Sequence, residues 1–176
     1  MARPLTLTQA LGIVNDIADA SRYSILFGSI PGAVDSRPLT IQCFQAEAPG
    51  LQNQMYAATV GGHTLNFRGR IEFGNQMTFA FYVDGNGDAM SILQNWHEQV
   101  VGTETGNSQG YIDDYSVDPT LTLFDTTGKE YAAYKIYRLY PINVAQIQLD
   151  GGNSSAMVCQ VTCAFTYHES TTRDTL

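Results

Sequence analysis

The chain has 176 residues, a formal charge of −8, 44% hydrophobic and 15% charged residues, a length that suits one domain whose core folds without disulfides or metals. Nine basic against 17 acidic side chains are the reverse of what a phosphate-gripping surface needs. No stretch approaches the roughly 18 apolar residues of a membrane span, so the expectation is a soluble chain that neither inserts into membranes nor holds nucleic acid tightly.

In chain order, "LTLTQALGIVNDIADA" places Leu7, Leu11, Val14 and Ala18 at helical spacing, and residues 1–21 are expected to form an N-terminal helix or arm. The segment lacks the layout of a secretory signal, which implies cytoplasmic synthesis. From Arg22 the period drops to two: "RYSILFGSI" and "LTIQCFQAEA" read as strands separated by turn-forming Pro31-Gly32 and Pro49-Gly50. "APGLQNQMYAATVGG" shows no strand alternation and reads as a loop. Its Leu51, Met55 and Tyr56 would be left partly unpacked on an isolated domain, so they are the candidates for contact with a neighbouring subunit.

"HTLNFRGRIEF" alternates cleanly. Leu65, Phe67, Ile71 and Phe73 are expected to face the core, and a turn at Gly74-Asn75 to join this strand to "MTFAFYV" as a hairpin. Next, Ala89, Leu93, Trp96 and Val100 fall on one helical face, with Asp88 as N-cap and Trp96 as the helix anchor. A polar loop, "GTETGNSQGYIDDYSVDP", follows. Strands resume in "TLTLFD", "EYAAYKIYRLY", "NVAQIQLD" and "AMVCQVTCAFTYHE"; in the last, Cys159, Val161, Cys163, Phe165 and Tyr167 form one apolar row. Cys159 and Cys163 on one strand lie about 13 Å apart, too far to bridge, so reduced thiols are expected.

These elements give a mainly β fold: two packed antiparallel sheets, as a sandwich or barrel of about eight strands, with one α-helix packed on it.

Several motifs resemble sites and fail on inspection. Asp84, Asn86 and Asp88 match the start of a calcium loop, but its sixth and twelfth positions are Ala89 and Asn95 rather than Gly and an acid. His97-Glu98 opens an H-E-x-x-H zinc motif, but position 101 is Val. "GNSQG" at 106–110 fits a nucleophile elbow yet follows a helix inside a loop. "NSS" at 153–155 fits a glycosylation acceptor, and without a signal it reads as a hairpin turn. His63, His97 and His168 suggest no catalytic pairing and read as surface residues. No catalytic, metal or cofactor residue is nominated.

One constellation carries a resemblance. "FYVDGNGDAMSILQNWHEQVVG" with Trp96, then "GYIDDYSVD", then "LTLFDTTGKEYAAYKIYRLYPINVAQIQLD" and "QVTCAFTYHE" together resemble the tail tube protein of contractile-tailed bacteriophages. Trp96 on the central helix and the run from Tyr140 to Asp150 are the most specific pieces. The resemblance covers residues 22–169 as a tail tube domain, with residues 170–176 a C-terminal tail. It implies a non-enzymatic protomer that assembles into hexameric rings stacked in a hollow tube, inside a contracting sheath and around the passing genome. The implied partners are copies of itself, the tail sheath protein, and baseplate or tube-initiator, tape measure and tail terminator proteins; the implied place is the virion tail, built in the bacterial cytoplasm. The same protomer type serves as a baseplate initiator or as the inner tube of a tailocin or type VI secretion apparatus. A glycan-binding β-sandwich is the alternative from another class. Two readings of the residues agree with assembly: "EYAAYKIYRLY" carries aromatics on both faces, and unblunted edge strands would join protomers by strand addition.

Overall fold

A computed structural model describes residues 19–102, 110–147, 149, 152 and 155–172. Among them are ten strands and three helices. Strands β1 (Tyr23–Leu26), β6 (Thr120–Phe124), β7 (Glu130–Tyr137) and β10 (Tyr167–Thr172) form one antiparallel sheet in the order β1-β6-β7-β10. Strands β2 (Cys43–Ala46), β5 (Gln76–Tyr82), β9 (Val158–Ala164) and β8 (Tyr140–Val144) form a second, in the order β2-β5-β9-β8. Strands β3 (Leu51–Val60) and β4 (His63–Phe73) pair only with each other. The fold is the expected mainly β arrangement of packed antiparallel sheets, and the sheets stay open rather than closing into a barrel.

The inward rows of the two sheets make the core. Ile25, Phe27, Leu121 and Ile136 meet Met77, Phe79, Phe81, Cys159, Val161 and Cys163, all buried. Phe27 sits edge-on to Phe79 at 5.5 Å and tilted against Phe81 at 6.0 Å, so one ring spans the sheets. Burial also pushes the Cys159 and Cys163 thiols up, leaving them protonated.

Two strands read from the sequence as unbroken are bent. In "EYAAYKIYRLY" the chain leaves β7 at Arg138, which adopts φ 56°, and re-enters as β8 in the other sheet. In "AMVCQVTCAFTYHE" it leaves β9 at Phe165-Thr166 and re-enters as β10. The pairing Tyr137↔Tyr167 continues as Tyr140↔Ala164 without change of register. One long antiparallel pair therefore folds over a corner, the way strands pass between sheets in orthogonal packings. The left-handed residue is held by its neighbours: the Arg138 N–H donates to the Asp118 carboxylate at 2.9 Å and its guanidinium pairs with Asp113 at 3.0 Å. The bend also breaks the apolar row after Phe165, because Tyr167 is 37% exposed and stacks on Tyr137.

Further expectations are corrected. "RPLTIQ" is helical (α1, Arg37–Gln42), not a strand. Pro38 lies in its first turn, where a missing N–H costs nothing, the Asp35 carboxylate accepts the Arg37 N–H, and Leu39 is buried. Strand β5 pairs with β2 and β9, so the hairpin expected through Gly74-Asn75 does not form. The segment "NVAQIQLD" stops being a strand at Val144. The N-terminal helix falls on residues outside the described ones, apart from a turn at Ala20-Ser21.

The long helix (α2, Asp88–Val100) buries Ala89, Leu93, Trp96 and Val100, the four positions read from the sequence. Gly87, at φ 72°, holds the N-cap position rather than Asp88, and the Asp84 carboxylate accepts the Asp88 N–H at 2.9 Å. The expected polar loop contains a one-turn helix (α3, Ile112–Tyr115). The Trp96 Nε1–H donates to the Tyr115 carbonyl at 2.7 Å and ties the two helices together.

The reading of the histidines as surface residues fails at His168, which lies 7% exposed between Phe165 and Tyr134. Burial lowers its pKa. The folded chain thus keeps the imidazole neutral where the unfolded chain, with a value of about 6.5, binds a proton. Stability from this group is complete above the unfolded value and is lost as pH falls below it. His168→Phe is expected to flatten the fall in melting temperature between pH 7.5 and pH 5.5, as followed by circular dichroism; parallel profiles would refute this.

Candidate self-assembly surface

Leu51, Met55 and Tyr56 lie on β3, in a strand and not the expected loop. Their exposures are 65%, 75% and 58%. The cause is the turn: Gly61 and Gly62, with φ of 60° and 82°, close a two-residue hairpin between Val60 and His63, a turn that needs positive φ at both positions. Of the four β4 side chains expected to face the core, those of Ile71 and Phe73 lie outside the described ones. Leu65 and Phe67 are exposed, and Phe67 stacks against Tyr56 across the hairpin at 5.5 Å.

The hairpin carries a bulge. Asn53 pairs with Ile71 but Met55 pairs with Arg68, so Gly69 and Arg70 both stand opposite Gln54. A Cβ at Gly69 would lie 2.8 Å from the Gln54 carbonyl oxygen, a backbone atom that cannot swing aside. Gly69→Ala is therefore expected to disturb the hairpin register and suppress assembly. The body, with sheets of its own, should melt within about 2 °C of the unmodified chain, as other surface substitutions do. An unchanged yield of assemblies would count against this.

The metal-like motifs have structural uses. Asp84 holds the start of α2, while His97 and Glu98 border a groove of about 740 Å³ between that helix and residues Val144–Ile147, with Met90 and Met157 as apolar lining. No group of three or more His, Cys, Asp or Glu side chains that could hold a metal ion occurs among the described residues. Residues 106–109 of "GNSQG" lie outside the described residues, as do Asn153 and Ser154 of "NSS". None of the helices described is long and apolar enough to cross a membrane.

The sequence reading missed Val60, Leu65 and Phe67 as surface residues. The available signal was "VGGH" between two strand-like runs, a two-residue hairpin signature.

The described residues thus form two four-stranded antiparallel sheets with a packed helix, and a two-stranded hairpin that exposes large apolar side chains. The family model "Phage tail tube protein" matches residues 15–171. The chain belongs to that family. No curated protein matches it in sequence. Among solved structures, a chain of the anti-feeding prophage baseplate is similar with a TM-score of 0.63 at 12% identity, over 90% of this chain and 97% of that one. A chain of the sheath-tube complex of an extracellular contractile injection system, PVC, is similar with a TM-score of 0.61 at 12% identity, over 96% and 99%. A chain of the anti-feeding prophage tube-terminating cap has a TM-score of 0.63 at 13% identity, over 90% and 93%. At these identities the likeness is one of fold.

Proposed function

We propose that this chain assembles into hexameric rings that stack as the hollow inner tube of a contractile tail, through which a genome passes into the host. The family match and the hairpin support the reading together. The hairpin carries the argument: six large apolar side chains, from Leu51 to Phe67, are 42% to 75% exposed on one projecting element, far more than a lone domain gains by showing to water. Copies of the same chain are the first candidates to cover it, with a sheath outside the tube and baseplate and terminator proteins at its ends. The charge of −8 suits the conduit, because surplus carboxylate repels phosphate within about 8 Å at physiological salt.

A close second reading is the inner tube, or the baseplate tube initiator, of an injection apparatus. It is favoured by the fold likeness to chains of the prophage baseplate and the sheath-tube complex. Negative-stain electron microscopy of concentrated purified protein tests both. Long hollow tubes with sixfold end views are expected from a tube protein, and isolated rings that never elongate from an initiator. Dispersed monomers at every concentration would overturn the proposal.

A further inference from the structure

We propose that a cavity at one end of the sandwich, beside β1, is closed by this chain's own N-terminal segment, with Ile17 and Val14 seated in it. The inference concerns the single protomer and does not depend on the tube reading.

At this end the first sheet extends past its cover. Tyr23 pairs in register with Leu123, two residues from the pair Ile25 and Leu121, so all four side chains stand on one inner row. Ile25 and Leu121 are each 1% exposed, whereas Tyr23 and Leu123 are only partly buried. The facing strand explains the difference. Strand β2 ends at Ala46, and Ala46 and Ala48 set only methyl groups against the row. What remains is a cavity of about 310 Å³, with Leu121 buried beneath it, Tyr23, Leu123 and Tyr131 on one side and the two alanines on the other. Covering such apolar surface stabilises a fold in proportion to the area removed from water.

The path of the chain decides the occupant. Asp19 and Ala20 line the same cavity. The Arg22 N–H donates to the Asp19 carbonyl at 3.1 Å, and the Asp19 carboxylate accepts from the Ser21 N–H and hydroxyl, each at 2.9 Å. A four-residue turn closed in this way reverses the chain, so the residues ahead of Asp19 lead back along β1, the edge strand of its sheet. Ile17 is two residues from Asp19 and therefore within about 7 Å of it in any conformation. Leu7, Leu11, Val14 and Ile17 recur at helical spacing, with Asn15 and Asp16 falling on the opposite side, the pattern of a segment that buries one face and wets the other. The family match also starts at residue 15, ahead of the described residues. A segment tethered this closely meets the cavity at an effective concentration of about millimolar, an advantage over any separate partner.

The test is a double-mutant cycle in the full-length chain, comprising Ile17→Ala, Leu123→Ala and the pair, with thermal melting followed by circular dichroism over a wide range of protein concentration. Ile17→Ala is expected to lower the melting temperature by about 4–8 °C, by the same amount at every concentration. The pair should lose less than the sum of the two single losses, because residues in contact are not additive. Ile17→Val, which keeps most of the volume, should fall between the unmodified chain and the alanine variant. An unchanged melting temperature for Ile17→Ala, or losses that simply add, overturns the inference. A loss that appears only as the protein is concentrated also overturns it, by giving the cavity to the segment of another copy. Tube formation by the unmodified chain is scored separately, so either reading can fail without the other.

Discussion

Trp96→Ala is expected to lower the melting temperature by about 10 °C, more than any other single truncation of α2. The indole is fully buried, and removing a large aromatic from a packed core costs roughly 3–5 kcal/mol in lost transfer energy and residual cavity. A further loss comes from the hydrogen bond to Tyr115, whose carbonyl would lose its 2.7 Å donor. That bond is part-buried, so its loss adds about 1 kcal/mol. For a chain of this size each kcal/mol shifts the melting temperature by about 2–4 °C, so even the lower end is readily measured. Trp96→Phe separates the two causes by restoring much of the volume without the donor, and should fall between the unmodified chain and the alanine variant. Equal melting temperatures for all three would show that α2 contributes little to the core.

The contrast between α2 and the hairpin explains how much was legible in the sequence. Ala89, Leu93, Trp96 and Val100 form a stripe that is buried by the protomer itself, so periodicity and burial agree and the helix could be read directly. In "HTLNFRGRIEF" the strand is real, but the bulge at Gly69-Arg70 interrupts its alternation, and Leu65 and Phe67 remain 47% and 42% exposed. Period two reports which side chains share a face and not which molecule covers that face. The strand character of "LQNQMYAATV" was hidden because Met55 and Tyr56, as consecutive strand residues, point to opposite faces and both are exposed, so no single apolar face recurs. The helical "RPLTIQ" was missed for a different reason: its apolar and β-branched residues suit a strand, and the local geometry set by Asp35 and Pro38 overrides that preference. The bend at Arg138 left no signal, since a non-glycine residue at positive φ is uncommon and is held here by Asp113 and Asp118, some 20 residues earlier.

Met55→Asp/Tyr56→Asp is expected to abolish tubes and leave a folded monomer. The two positions are adjacent on β3 and face opposite ways, so the double variant puts one carboxylate into each of the hairpin's uncovered apolar faces. In the protomer alone the change is mild: both side chains are more than half exposed, and exposed substitutions away from the core shift stability by about 0.5 kcal/mol or less. In an assembly the same carboxylates would be buried without partners, at several kcal/mol each. A penalty of about 4 kcal/mol per contact weakens association roughly a thousandfold, and a tube repeats the contact at every subunit. The measurement pairs sedimentation velocity with thermal melting. A monomer that melts with the unmodified protomer supports the hairpin as the joint. Tubes of normal length from the double variant would place the joint elsewhere, on the open edges β1, β10, β2 and β8 of the two main sheets, where strand addition needs no apolar hairpin.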